Sequence, residues 1–75
     1  PKNALAHYQR GLTHRLLGQH DKAIDDYTRA LKIDPRLALA YRNRSRAYAA
    51  KGDAEKAKAD YDRAIRLDPN LAKDE

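Results

Sequence analysis

The sequence has no cysteine, methionine, tryptophan or phenylalanine, and only three glycines and three prolines. Without cysteine there is no disulfide framework and no thiolate metal site. That composition fits a reducing compartment, and a cytoplasmic protein is the expectation. No apolar run approaches the roughly 20 residues that a membrane-spanning helix needs, and no stretch reads as a signal peptide. Ser45 is the only serine, and no Ser-His-acid set can be read around it. No glycine-rich phosphate loop is present. These absences argue against an enzyme and imply no cofactor.

What is plentiful is alanine, leucine, arginine, lysine and aspartate, a helix-forming composition rather than a disordered one. Seventy-five residues allow one small domain, 1–75. Its core is marginal, because chains this short bury only about 60% of the surface their unfolded form exposes. The net charge of +5 suits an acidic partner without naming one.

The chain is one unit written twice. Laying residues 4–37 over 38–71 gives 14 identities in 34 positions, among them Gly18/Gly52, Ala23/Ala57, Tyr27/Tyr61, Ala30/Ala64, Asp34/Asp68 and Pro35/Pro69. Each unit reads as two helices. The first runs from about Asn3 to Leu17 and ends at Gly18, which supplies a left-handed cap cheaply. Asp21 then starts a second helix to about Ile33. Asp34-Pro35 stops it, since a residue before proline is pushed out of the helical region. The second unit repeats this over about Leu37–Lys51, Gly52, an Asp53 N-cap, and a helix to about Leu67. Ala23, Tyr27, Ala30 and Leu31 recur at offsets of three and four, as do Ala57, Tyr61, Ala64 and Ile65. That spacing makes one apolar face on each second helix.

These features resemble the tetratricopeptide repeat, a 34-residue helix–turn–helix unit whose pattern runs W-x2-L-G-x2-Y, then a turn glycine, spaced Ala, aromatic and Ala, then proline. The first half stands here as His7-Tyr8-Gln9-Arg10-Gly11-Leu12-Thr13-His14 and again as Tyr41-Arg42-Asn43-Arg44-Ser45-Arg46-Ala47-Tyr48. The resemblance implies an all-α fold of two stacked helix-turn-helix hairpins, four helices of a right-handed superhelix, with repeat 1 over about 4–37 and repeat 2 over about 38–71. Pro69 to Ala72 reads as the entrance to a third repeat, with 72–75 as its start. Repeats of this kind bury their faces on neighbours, and about three are usually needed. The edge near Tyr61, Ile65 and Leu71 is therefore expected to be open, and to join a second copy in a homo-oligomer unless the chain is an excerpt.

In the same alignment His7 and His14 match Tyr41 and Tyr48, so they are expected to fill aromatic packing positions rather than to hold metal with His20. Ser45 falls where the family pattern wants a small residue. The first helices carry Arg10, Arg15, Arg42, Arg44, Arg46 and Lys51 and no acid, whereas the second helices are balanced. Arg10 and Arg44 can pair with aspartates inside their own repeats. In the resembled family the first helices line a concave groove for extended peptides. The groove residues are then Tyr8, Gln9, Leu12, Arg15, Leu39, Arg42, Asn43 and Arg46, with Arg42 and Arg46 exposed one turn apart. The implied function is a protein-interaction scaffold for an acidic or carboxylate-ended peptide or a partner subunit. Some family members clamp a partner's terminal carboxylates, and the matching positions here are Tyr8, Leu12, Asn43 and Lys73, of which only Asn43 and Lys73 fit. The rival readings are nucleic-acid binding through the arginines, which lack the interleaved aromatics of single-strand binders, and a purely structural self-assembly module.

Overall fold

The computed structural model describes residues 3–74. Four α-helices follow one another, α1 (Ala4–Leu16), α2 (His20–Ile33), α3 (Ala38–Ala50) and α4 (Ala54–Leu67), and a final 3-10 helix spans Pro69–Asp74. α1 packs on α2 and α3 on α4 as two hairpins. α2 joins the hairpins by packing against α3, and α1 lies lightly alongside α3. No helix among the described residues is long and apolar enough to cross a membrane.

The helix ends follow from a few side chains and two glycines. Asn3 starts α1, its Oδ1 accepting from the Leu5 and Ala6 amides at 2.9 and 3.4 Å. Gly18 then turns the chain at φ 76°. Its amide donates to the Arg15 carbonyl at 3.0 Å, and the Gln19 amide donates to the His14 carbonyl at 2.8 Å. Gly52 does the same at φ 85°, with the Asp53 amide reaching the Tyr48 carbonyl at 2.9 Å. This paired closure satisfies the last carbonyls of each first helix and needs the left-handed conformation that glycine adopts without penalty.

The copies differ at the next step. Asp53 caps α4 as expected, its Oδ1 accepting from the Lys56 amide at 3.2 Å. α2, however, starts one residue before Asp21, and its cap residue Gln19 makes no side-chain cap bond. The Gln19 side chain instead meets His14 Nδ1 at 2.7 Å, and Asp21 is drawn away to pair with Lys51 of the other repeat.

Asp34 and Asp68 end α2 and α4 in extended conformation. Each then closes a turn with its own carboxylate, Arg36 amide to Asp34 Oδ1 at 3.0 Å and Asn70 amide to Asp68 Oδ1 at 3.1 Å. After Pro35 the chain enters α3. After Pro69 it forms the 3-10 helix, which packs back on α4. The expected opening of a third repeat is thus a 3-10 turn, and Leu71 is only 7% exposed. Glu75 lies outside the described residues.

The core collects Tyr8, Ala23, Tyr27, Ala30, Leu31 and Ala40, with Ala4, Leu12, Leu37 and Tyr41 packed around it. Alanines at the helix contacts let backbones approach, and the Tyr8 and Tyr27 rings fill the space at 5.8 Å between centroids. Tyr27 is fully buried, its hydroxyl has no hydrogen-bond partner among the described residues, and burial pushes that hydroxyl up to about 12. In the second repeat the matching Tyr61 and Ile65 are only half-buried, where Tyr27 and Leu31 are covered. The difference follows from position, since α3 lies over α2 and only the short 3-10 helix follows α4.

Candidate functional site

Two of the six basic residues on the first helices are committed to the interior of their own repeat. Arg10 grips Asp26 with Nε and Nη2 at 2.9 and 2.7 Å. Arg44 grips Asp60 in the same way at 2.7 and 2.8 Å. Both aspartates are almost fully buried, and forked guanidinium–carboxylate contacts of this kind are strong and directional. The Arg10 bond holds the Asp26 carboxyl below its ordinary value, with help from the charges of Arg10, His14 and Arg29 and against the effect of burial. The guanidinium of Arg44 also lies over the Tyr41 and Tyr48 rings at 5.5 and 5.9 Å, and its Nη1 donates to Thr28 Oγ1 in the other repeat at 3.1 Å. In the first repeat His7 and His14 take the places of these tyrosines. His7 Nδ1 is 3.9 Å and His14 Nε2 3.5 Å from the Asp26 carboxylate.

α1 and α3 lie alongside each other, with a strip between them. At its centre Asn43 Nδ2 donates both to the Tyr8 hydroxyl and to the Leu39 carbonyl, each at 3.0 Å. Burial raises the Tyr8 hydroxyl, while the charges of Arg15, Arg46 and Arg42 act in the opposite sense. Neither α1 nor α3 contains an acidic residue to offset them.

Of the residues expected to line this groove, Gln9, Leu39 and Arg46 are exposed, Leu12 and Arg15 are half-buried, and Tyr8, Arg42 and Asn43 are buried. Arg42 was expected at the surface beside Arg46; it is instead 7% exposed, on the buried side of α3 with Ala40, Asn43, Ser45 and Ala47, whereas Arg46 is exposed. Asn43 spends both amide hydrogens inside the protein, so it has no donor left to clamp a ligand carboxylate. Its part is to tie α1 to α3. The side chain of Lys73 lies outside the described residues. At the far edge Tyr61 and Ile65 are half-open, but Leu71 is turned inward and cannot offer the surface expected of it.

Two residues escaped sequence reasoning. A cleft of about 410 Å³ is lined by Arg15, Leu16, His20, Arg46, Ala47 and Ala50. His20 joins the two arginines there, and Leu16 stands 83% exposed beside them. The available signal was disagreement between the copies, since Arg15, His20 and Arg46 align with Ala49, Ala54 and Leu12.

Two family models described as tetratricopeptide repeat match residues 4–37 and 38–71. Among solved structures, one described as MamA protein superposes with a TM-score of 0.83 and 33% identity, covering 96% of this chain and 39% of that one. A second, described as MamA, gives 0.87 and 33%, covering 96% of this chain and 42% of that one. The chain thus spans about two fifths of the length of these structures. No curated protein matches the sequence significantly.

Proposed function

Because the chain belongs to the tetratricopeptide repeat family, whose repeats act as protein–protein interaction scaffolds rather than catalysts, we propose that it holds an extended acidic peptide against the face formed by α1 and α3. The observation that carries this reading is that Arg15 and Arg46 line one cleft on two helices that contain no acid. Leu12 and Leu39 supply apolar contact beside the charges, and Tyr8, pinned by Asn43, keeps the two helices in fixed register. A field of one sign raises the encounter rate and selects partners of the opposite sign.

The test is a titration of a labelled glutamate-rich peptide, with glutamine and lysine counterparts, against the protein and its Arg15→Glu, Arg46→Glu variant. Charge-assisted contacts contribute about 1.5–3 kcal/mol each. The variant should therefore lose at least about tenfold in affinity while keeping its helical circular dichroism. Equal binding of the three peptides would remove the reading. A duplex or single-stranded oligonucleotide that bound more tightly than the acidic peptide, with a steep salt dependence, would favour nucleic acid instead.

A second reading rests on a separate observation, the half-open Tyr61 and Ile65 beside the covered Tyr27 and Leu31. In this reading the α4 edge meets a second copy. Sedimentation from micromolar to millimolar protein should then move from monomer toward dimer, and Tyr61→Lys should move it back. A monomer throughout that range would dismiss it.

A further inference from the structure

We propose that the cleft between the α1–α2 turn and the C-terminal half of α3 is a pocket for the phosphate of a phosphorylated residue in the bound peptide. The cleft is built from three elements, each of which contributes one cationic or protonatable group: Arg15 from α1, His20 at the start of α2 and Arg46 from α3. No acidic residue lines it among the described residues. Asp21, next along from His20, is held by Lys51. Ala47 and Ala50 form a floor with no bulk to block the approach.

A further observation suits an anionic occupant. The start of α2 lacks a side-chain cap, because Gln19 is engaged with His14. The first-turn amides at a helix start carry partial positive charge and are commonly met by an anion.

The number of charges favours a phosphate over a carboxylate. A phosphorylated side chain carries about −1.5 to −2 charges and three acceptor oxygens at neutral pH. That is enough to meet two guanidinium groups and an imidazole at once. A glutamate brings one charge and two oxygens, and leaves part of this set unmatched. A guanidinium prefers the planar two-point contact that both anions offer, so the discrimination comes from how many groups are satisfied together. The inference rests on the peptide-binding reading for the source of the phosphate.

The experiment compares three peptides of one sequence carrying phosphoserine, serine or glutamate at the central position, with inorganic phosphate as competitor. They are titrated against the protein and its Arg46→Ala, Arg15→Ala and His20→Ala variants. Arg46 is exposed, so Arg46→Ala should leave the fold intact. The phosphoserine peptide is expected to bind about tenfold or more tightly than the serine peptide, an advantage equal to about one charge-assisted contact. Inorganic phosphate should erode that advantage, and Arg46→Ala should remove most of it. A phosphoserine peptide no tighter than the glutamate peptide, or an advantage that survives Arg15→Ala with Arg46→Ala, overturns the pocket. In that outcome the serine and glutamate peptides can still bind, and the groove reading stands. If the phosphoserine peptide alone binds and phosphate displaces it, the pocket stands and the groove reading falls.

Discussion

Asp60→Ala is expected to lower stability by about 3–5 kcal/mol, the usual cost of removing one partner of a buried ion pair. The Asp60 side chain is 2% exposed and that of Arg44 14%. Deleting the carboxylate leaves the guanidinium among packed helices with only Thr28 Oγ1 as a remaining hydrogen-bond partner among the described residues. A domain of this size is stable by roughly 4–11 kcal/mol, so a large share of that margin disappears, and urea or thermal unfolding followed by circular dichroism reads it directly. The penalty comes from stranding a charge rather than from losing an attraction. The double variant Arg44→Leu, Asp60→Leu should therefore recover most of the loss, since apolar replacement of a buried pair is often neutral or stabilising. Leucine is also the residue that the family pattern places at the Arg44 position. Asp26→Ala should cost less, because Arg10 is 51% exposed and can turn to water. A cost below about 1 kcal/mol for Asp60→Ala, the value typical of surface pairs, would contradict this view of the second repeat.

Gly11→Ala is expected to destabilise the protein although alanine is the better helix former. In an exposed helix the exchange would gain about 1 kcal/mol. At Gly11 a β-carbon would stand 2.5 Å from Cε1 and 2.8 Å from Cδ1 of Tyr27, a ring that is fully buried and has no room to swing aside. Overpacking in a core costs typically about 1–3 kcal/mol, which outweighs the helix gain at most of that range. The second repeat carries Ser45 at this position, and its hydroxyl donates to the Ala57 carbonyl at 2.7 Å. The same substitution thus cannot be transferred between copies. A Gly11→Ala protein that melts at or above the parent temperature would show that α1 and α2 can separate enough to admit the methyl group.

The fold was legible because its punctuation is written in residues with local physical meaning. Gly18 and Gly52 each sit at positive φ, Asp34 and Asp68 each close their own turn, and the apolar spacing on α2 and α4 needed no knowledge of neighbours. The inward pairing of Arg10 and Arg44 was legible too, since arginine and aspartate recur at matching positions in both copies. The site was less so. Helical spacing puts Arg42 and Arg46 one turn apart on α3 but does not say that one is buried and the other exposed. Leu71 shares its place in the turn with Leu37, yet the helix type that follows depends on packing that no local pattern records. His20 stood out in the sequence as a third histidine beside His7 and His14 and as a residue that breaks the repeat, and a break in a repeat marks a position where one copy does something the other does not.

The central claim is that the α1–α3 face is where a partner binds. Amide chemical-shift mapping during titration with the glutamate-rich peptide tests it most directly, because it locates the contact without altering the protein. The expected result is a saturable change centred on Gln9, Leu12, Arg15, Leu39 and Arg46, with α4 and the 3-10 helix little affected. Changes concentrated around Tyr61 and Ile65, or shifts spread evenly over every basic residue and abolished by moderate salt, would contradict the claim.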